Sequence, residues 1–370
     1  MTQLANTARP KSDRFSSRIQ TVLDDIVDRI EIRDDFSVRH PEYKPLELPE
    51  EAIARFQQMP EQMQRKFLSL QLRSFLYGIY YSNAMRELLA LDVDEGDKDL
   101  PLDLENNTVL GVDLEFYHRI HKGNAGEGYF EPGWLVIDRQ GDDTLVVTKG
   151  GLKLHVESEQ HLRSSEVNAT VGDKISVKMP KNRVQNGFYM AVSNTRVSSA
   201  ANKSVLVRIY FNLTPEGAVA MMSSLTQRLN ALNISFDFKV LYNPEDYNRH
   251  DSGVLYFTKD NYDRIHQILQ EIYLENKSCF KPEVPLFTLE LAPGLGLAEE
   301  PDKKFAVKES FGMNRCQIIA NGLLEAWYQN KNSPEEKMQC IFEQFVRLGI
   351  DSHRTYLNAG ASDIYSRLSF

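Results

Sequence analysis

Features that mark several common classes of protein are scarce or missing in this 370-residue chain. The three cysteines are too few, too far apart and odd in number for a disulfide framework or a paired-cysteine zinc site, and we interpret them as reduced packing residues: Cys279, Cys316 and Cys340. No apolar run approaches the roughly 20 residues that cross a bilayer, so no membrane partner is expected. Residues 1–18 contain no apolar core of signal-peptide length, which predicts a flexible lead-in and a cytoplasmic location.

A surplus of positive charge is also missing, because the formal net charge is −9. Binding to nucleic acid needs a broad cationic surface, so a nucleic-acid partner is not expected. One local basic cluster lies within residues 173–183 beside a single acid, and its simplest interpretation is a solvated strand and turn: Lys174, Lys178, Lys181 and Arg183.

Motifs for metal, nucleotide and serine-hydrolase chemistry are absent from the sequence. His118 and His121 have the spacing of helix neighbours, but no H-E-x-x-H motif or second ligand cluster accompanies them. The glycine-rich stretch KGNAGEGYFEPG lacks the G-K-[ST] ending and the G-x-G-x-x-G spacing, and a turn before a strand at 134–137 explains it better. No G-x-S-x-G nucleophile elbow occurs. We expect no metal and no organic cofactor.

The spacing of apolar residues predicts an α+β fold with a central mixed or antiparallel sheet between helical regions. An acidic exposed loop is expected at 92–103, and a boundary loop in the proline- and glycine-rich stretch 282–301. Two helices should follow near 314–328 and 335–348. The chain divides into four parts, which could form one compact domain: a lead-in at 1–18, a helical region at 19–130, an α+β sheet core at 131–281, and a loop with C-terminal helices at 282–370.

The most regular pattern lies in the sheet core. A strand at 205–212 leads into Thr214-Pro215-Glu216, which combines a good N-cap with proline at the first helical position. Strands follow at 236–241 and 253–257, and a second helix comes after them. This order predicts a split βαβ unit, with helices on one face of the sheet and the other face free to line a site.

Strand alternation places the polar side chains of this unit on one surface. The apolar residues of VLVRIYFN and FDFKVL share one face, so the opposite face gathers a set of polar groups: Arg208, Tyr210, Asn212, Asp237 and Lys239. The plain alternative is a half-exposed sheet face on which Lys239 pairs with Asp237 or with a residue of the next strand.

Seven segments of the chain resemble the HopA family of type III effector-like proteins and its cyanobacterial homologues: LQLRSFLYGIYY, LENNTVLGVDLEFY, GEGYFEPGW, VQNGFYMAVSN, RIYFNLTPEGAV, YNPEDYNRHDSGVLYF and SFGMNRCQIIANGLLEAW. The resemblance runs from about Ile32 to the C-terminus. Members of this family that stand beside kinase-like partners in ribosomal-peptide biosynthesis are assigned as lyases. They eliminate phosphate from phosphoserine or phosphothreonine and leave dehydroamino acids.

The resemblance also implies a distant likeness to phosphothreonine lyases and to the lyase domains of lanthipeptide synthetases. In those enzymes a lysine in a short strand that reads like FKV is the base, and FDFKV places Lys239 at this position. Their preceding strand carries a basic residue two positions before a histidine acid. Here Arg208 keeps the basic residue and Tyr210 stands where the acid would be.

Elimination of phosphate needs a base, an acid and cations for the leaving group. Lys239 is the predicted base, and the acid is left open between Tyr210 and His250, because a loop histidine titrates near neutral pH and could reach over the sheet. The predicted phosphate ligands are Arg208 and Arg249, with further candidates at Arg183 and Arg315.

Two hypotheses follow for the function. The first is a phosphoserine/phosphothreonine lyase that acts on a peptide or protein phosphorylated by a separate kinase. The second is a non-catalytic effector-type module that presents the same polar face to a phosphorylated or acidic partner, and tyrosine at position 210 favours it. An effector role and a biosynthetic role both remain open.

Overall fold

A computed structural model describes residues 14–91, 111–141, 143–185, 187–195 and 204–370. The acidic run at 92–103, which is expected to form a loop, lies outside these residues. Within the described residues the α-helices are α1 (Ser17–Arg29), α2 (Glu50–Gln57), α3 (Glu61–Leu76), α4 (Arg86–Leu89), α5 (Leu114–Gly123), α6 (Ser158–His161), α7 (Pro215–Ala231), α8 (Tyr262–Glu275), α9 (Phe311–Tyr328) and α10 (Pro334–Leu348). A π-helical turn, Tyr77–Tyr81, extends α3.

The described strands form three sheets in a mixed α+β fold, as the sequence predicts. They are β1 (Glu31–Ile32), β2 (Val38–His40), β3 (Tyr43–Leu46), β4 (Tyr129–Gln140), β5 (Thr144–Lys149), β6 (Leu152–Glu157), β7 (Lys174–Met179), β8 (Asn182–Gln185), β9 (Phe188–Val192), β10 (Leu206–Phe211), β11 (Phe236–Leu241), β12 (Gly253–Thr258), β13 (Leu289–Ala292) and β14 (Leu295–Glu299). No helix in the described part of the chain is long and apolar enough to cross a membrane.

The largest sheet has the strand order β13-β14-β10-β12-β11-β9-β8. β12 lies between β10 and β11 and is antiparallel to both, so β10 and β11 run parallel to each other. The helix α7 connects them, and the predicted split βαβ unit is confirmed. The side chain of Thr214 accepts a hydrogen bond from the Gly217 N–H, and Pro215 opens α7, as its N-terminal signal predicts.

Helices cover both faces of this sheet. Val207, Ile209 and Phe211 of β10 are fully buried on the face where α7 packs against β11. On the opposite face, Tyr81 of the π-helical turn and Phe311 of α9 pack against Tyr210. Part of the face that is predicted to be free is therefore covered. The contacts that close it come from chain segments far from the split βαβ unit in sequence.

Two strands lie in the stretch 282–301, where a boundary loop is expected from its prolines and glycines. Pro293 and Gly294 form the turn of the β13–β14 hairpin, and Gly294 has a positive φ of 75°. Leu295 and Leu297 are fully buried, and β14 pairs with β10. The prediction fails here because the proline and glycine mark a hairpin turn inside the sheet.

The N-terminal region contains the small sheet β1-β2-β3 in addition to helices. The prediction of a helical region at 19–130 misses it, because strands of two to four residues are too short to show a period of two. The lead-in is also shorter than predicted, since α1 begins at Ser17.

A four-stranded sheet, β6-β5-β4-β7, surrounds its own small apolar core, which includes Trp134 and Val147. The predicted hairpin between β5 and β6 is present, and both residues of its turn, Gly150 and Gly151, have positive φ. β4 begins five residues earlier than expected, because an irregularity of register before Trp134 interrupts the alternation of its side chains.

The two C-terminal helices lie where they are predicted. Ser333 and Glu336 form a capping box at the start of α10, and Gly349 ends this helix in the left-handed conformation. α9 packs against α10 through Gly322, where a Cβ atom would come within 2.6 Å of the Ile341 Cα atom. The absence of a side chain at Gly322 therefore allows α9 and α10 to pack closely.

Gly322→Ala should therefore destabilise the protein, because the added methyl group would meet the backbone of α10. We expect a fall in the free energy of unfolding of about 1–3 kcal/mol, measured by urea denaturation. Gly111→Ala is the matched control, since no atom of the described residues, apart from its chain neighbours, lies within 4 Å of the Cβ position there. Equal stability of the two variants would contradict the proposed contact.

Candidate functional site

Cross-strand pairing gathers the polar residues of the largest sheet into two rows on one face. In the first row, Arg183, Met190 and Lys239 lie side by side, and the row continues through Val254 to Tyr210. In the second row, Asp237 pairs with Tyr256, and Tyr256 pairs with Arg208. Partners in one row project to the same side of a sheet, so the shared polar face follows from the register.

A cleft of about 160 Å³ remains where the π-helical turn and the start of α9 meet this face. Four of its lining residues are the sequence-predicted candidates Lys239, Arg208, Tyr210 and Arg249. The cleft is cationic and aromatic, and its other walls come from β8, β9, β12, the π-helical turn and the start of α9: Tyr77, Tyr81, Gln185, Phe188, Asp251, Val254, Tyr256, Ser310 and Met313.

Lys239 reaches from β11 toward β8. Its ammonium nitrogen lies 4.0 Å from the centroid of the Phe188 ring and 3.4 Å from the Gln185 Oε1 atom, to which it donates. No carboxylate of the described residues lies within 4.0 Å of this nitrogen. The predicted pairing of Lys239 with Asp237 is therefore not formed, and Asp237 pairs with Arg183 at 3.7 Å instead.

Arg208 is bound to Glu300, and its guanidinium lies 5.0 Å from the centroid of the Tyr256 ring. Arg208 lines the cleft, and the side-chain exposures of 11% for Arg208 and 18% for Glu300 show that neither group of the pair is completely buried. Glu300 also pairs with Lys304 at 2.5 Å. The carboxylate thus has a second cationic partner besides Arg208.

Arg249 and Asp251 form a more deeply buried pair. Arg249 donates through Nε and one terminal nitrogen to the two carboxylate oxygens, at 2.6 and 3.0 Å. The Tyr77 hydroxyl donates to the same carboxylate at 2.9 Å. Burial alone would raise the pKa of Asp251, but Arg249 and Tyr77 outweigh it and hold the pKa below its usual value. Asp251 therefore fixes the guanidinium of Arg249 at the cleft.

Tyr210 lies deep in the cleft and is 3% exposed. Its hydroxyl adjoins that of Tyr81, and neither hydroxyl has a further hydrogen-bonding partner among the described residues. Burial raises the pKa of Tyr210, although the charge of Arg208 opposes this. The phenol is therefore protonated at neutral pH and can donate a hydrogen bond to a bound group.

The structure does not bring the remaining candidates to the cleft. His250 is absent from its lining, its Nδ1 atom is buried without a hydrogen-bonding partner in the described part of the chain, and burial lowers its pKa. Arg315 is buried within α9, where its guanidinium donates to the carbonyl oxygens of Thr355 and Leu357. Arg183 is exposed on β8 beyond the cleft rim.

Asn212 and one lysine of the basic cluster also have other partners. Asn212 is buried and donates to the Glu283 carbonyl oxygen at 3.0 Å. Lys181 of the cluster donates to the carbonyl oxygens of His121 and Asn124, at 3.1 and 2.8 Å. It therefore joins the end of α5 to the start of β8.

Several cleft residues are missing from the sequence prediction. Tyr256 could have been found, because alternation along GVLYF places it on the same face as Val254. Nothing in the local pattern marks Tyr77 and Tyr81, which reach the cleft only through tertiary packing, or Glu300, which pairs with the cleft residue Arg208. No group of three or more metal-binding side chains is found among the residues that the structure describes.

Fold and cleft together define an α+β protein with a cationic, aromatic-lined pocket on an antiparallel sheet. Residues 179–357, which extend from the end of β7 beyond α10, match the model of the HopA1 effector protein family. No curated protein matches the chain.

Two solved structures are similar over much of the chain. The effector protein from Pseudomonas syringae pv. tomato strain DC3000 has 15% sequence identity and a TM-score of 0.40, with coverage of 66% of this chain and 80% of that one. The effector protein from Pseudomonas syringae pv. syringae strain 61 has 13% identity and a TM-score of 0.40, with coverage of 80% and 98%.

Replacing Asp251 tests the buried pair. We expect Asp251→Asn to lower the free energy of unfolding at pH 7 by about 3–5 kcal/mol, because it leaves the Arg249 guanidinium buried without its counter-charge. The pKa of this carboxyl is lowered from 3.8, so its contribution is present above that value and lost as the pH falls through the lower folded pKa.

The difference in stability between wild type and Asp251→Asn should accordingly shrink below about pH 4. Urea denaturation at several pH values measures it. The double variant Arg249→Met/Asp251→Asn should recover part of the loss at pH 7, since it removes the unpaired charge. A single variant as stable as wild type would refute the buried pair.

Proposed function

We propose that the cleft binds the phosphorylated side chain of a serine or threonine in a peptide and that Lys239 eliminates the phosphate. The observation that carries this proposal is the position of Lys239 beside Arg208 and Arg249 without a carboxylate of its own in the described residues. The match to the HopA1 effector family supports an effector-type module and leaves the reaction open.

The size of the cleft agrees with a single side chain as its occupant. Sites for drug-sized molecules usually have about 300–1,000 Å³. This cleft has about 160 Å³. A phosphorylated side chain could enter it while the peptide backbone stays at the rim, where Lys239 and Gln185 lie.

The reaction would be a β-elimination. Lys239 acts as the base and takes the α-proton, the electrons of the Cα–H bond form the Cα=Cβ double bond, and the Cβ–O bond breaks. The phosphate leaves with the electron pair of the broken Cβ–O bond. The products are inorganic phosphate and a peptide that contains a dehydroamino acid, and no external oxidant or reductant is needed.

The other groups in the cleft have roles that follow from their charge and protonation. Arg208 and Arg249 would neutralise the departing phosphate. Tyr210, which stays protonated, would donate to the substrate and assist departure, and the position of His250 outside the lining favours Tyr210 as the acid. The phosphate itself would be supplied by a separate kinase.

Binding without elimination is the second candidate, and one observation favours it. Both cleft arginines already have carboxylate partners, Glu300 and Asp251. A phosphate must compete with these carboxylates, which would allow reversible recognition of a phosphorylated partner even if no chemistry follows. The two candidates share the ligand and differ only in the fate of the phosphate ester.

Elimination of phosphate by the wild-type protein distinguishes the two candidates, and Lys239→Ala tests the assigned base. We expect this variant to lose phosphate elimination by a factor of about 100 or more, because a positioned general base contributes about 10²–10⁴ to the rate. The measurement uses phosphothreonine and phosphoserine peptides and follows loss of phosphoric acid by mass spectrometry, with release of inorganic phosphate as a second readout.

Lys153→Ala is the matched control for this experiment, since Lys153 is an exposed lysine on β6 of the four-stranded sheet. It should eliminate phosphate at the wild-type rate. Undiminished elimination by Lys239→Ala would remove this residue from the mechanism. Binding of the peptides by wild type without any loss of phosphate would favour the binding module.

Glu300→Gln tests the competition for Arg208. Because the amide carries no charge, we expect the affinity for a phosphothreonine peptide to rise several-fold, measured by fluorescence anisotropy at low ionic strength. Glu325→Gln is the control, since Glu325 pairs with Arg347 at 2.8 Å on α9, away from the cleft. An unchanged or weaker affinity in Glu300→Gln would show that Arg208 is not a phosphate ligand.

A further inference from the structure

The strand β8 forms one edge of the largest sheet and adjoins the cleft. Its residue Gln185 lines the cleft and accepts a hydrogen bond from Lys239. Val184 is 64% exposed, and Arg183 is exposed as well. A main-chain edge and a phosphate-sized pocket therefore meet at one place on the surface.

The pairing of β8 with β9 determines which main-chain groups face outward. The Val192 N–H donates to the Lys181 carbonyl oxygen, so these two residues form a hydrogen-bonded pair. Such pairs alternate along an antiparallel ladder. Arg183 accordingly bonds to β9, whereas the N–H and C=O groups of Asn182 and Val184 point away from the sheet.

These outward groups are available to another strand. None of the described residues donates to or accepts from the main chain of Asn182 or Val184 on that side. An exposed edge with free main-chain groups is a template for an added strand. The sheet is antiparallel at each described pairing, which favours an antiparallel addition.

We infer that the phosphorylated peptide binds as an additional antiparallel strand on β8 and directs its phosphorylated side chain into the cleft. This inference rests on the proposed function, because it assumes a phosphopeptide as the ligand. It adds the recognition of the peptide backbone, which the cleft residues alone do not provide.

The reach of Lys239 agrees with this arrangement. Its ammonium group crosses β9 at Phe188 and arrives within 3.4 Å of the Gln185 side chain on β8. An added strand would lie about 4.8 Å beyond β8. The α-carbon of its phosphorylated residue would then be about one strand spacing from the proposed base. Its phosphate would extend over β8 toward Phe188, where the Arg249 guanidinium lies 5.9 Å from the ring centroid.

The charge of the edge also fits an anionic peptide. Arg183 and Gln185 project to the same side of β8 as the cleft, and so would the peptide residues opposite them. The phosphorylated residue would lie opposite Gln185 or Arg183. The two residues next to the phosphorylated one would project to the other face of the sheet. The one that lies opposite Val184 would exchange main-chain hydrogen bonds with Val184.

Backbone N-methylation of the peptide tests this register on the unmodified protein. The probe is a fluorescent phosphothreonine peptide selected by binding from a degenerate library, methylated at one amide at a time. We expect methylation next to the phosphothreonine to weaken binding at least tenfold. Methylation of the phosphothreonine amide itself, or two positions away, should change binding less than threefold.

A proline variant gives a second test from the protein side. Val184→Pro removes an outward N–H and should weaken binding of the unmethylated peptide, whereas Lys153→Pro should not. Lys153 offers a matched control, because the β5–β6 register gives it an outward N–H on the edge strand of the other sheet. Circular dichroism establishes whether each variant is folded, and the methylation series does not depend on either variant.

The outcomes separate this inference from the proposed function. Elimination of phosphate with binding that is equally tolerant of methylation at each position would overturn strand addition and leave the lyase standing. Alternating sensitivity without elimination would support strand addition and overturn the lyase. Sensitivity at the phosphothreonine amide would indicate parallel pairing and overturn the antiparallel arrangement.

Two other results would also overturn it. One is dimerisation of the protein that Val184→Pro abolishes, because a second copy of the chain would then occupy the edge. The other is a library from which no phosphothreonine peptide binds the wild-type protein.

Discussion

The polar face of the central sheet is partly covered by helices, and a charged group that they bury needs a partner inside the protein. Charges taken out of water are stable only when paired and hydrogen bonded. Asp251 meets this requirement for Arg249, with Tyr77 as an additional donor. Glu300 meets it for Arg208. The cleft exists because these pairs hold polar side chains where a closely packed apolar layer would otherwise form.

Sequence reasoning could predict the split βαβ unit and its polar face, because both depend on local patterns. The Thr214-Pro215 signal starts α7, and alternation places Arg208, Tyr210 and Lys239 on one side of the strands. The position of Arg249 at the cleft could be expected from its loop, but its pairing with Asp251 two residues later could not. That pairing depends on how the loop folds back under the π-helical turn.

The parts that sequence could not predict arise from contacts between distant segments. Tyr81 lines the cleft and Glu300 pairs with the cleft residue Arg208 from segments far apart in sequence, and no local period marks either residue. β14 joins the sheet beside β10 although its neighbourhood has the composition of a loop. Arg315 is a candidate phosphate ligand in the sequence, because an arginine near a helix start suggests an anion site. Its guanidinium instead satisfies carbonyl oxygens of the C-terminal segment.

The two cleft arginines differ in a way that bears on how a phosphate could enter. The Arg249–Asp251 pair is almost fully buried and shares a third member in Tyr77, so exchange of its carboxylate would leave a buried charge without a partner. Glu300 is more exposed and can remain paired with Lys304 if it releases Arg208. A phosphate dianion attracts a guanidinium more strongly than a single carboxylate does at equal distance. Arg208 is therefore the cation that can change partners, while Arg249 supplies a fixed positive charge and Lys239 at the rim forms no ion pair with either carboxylate.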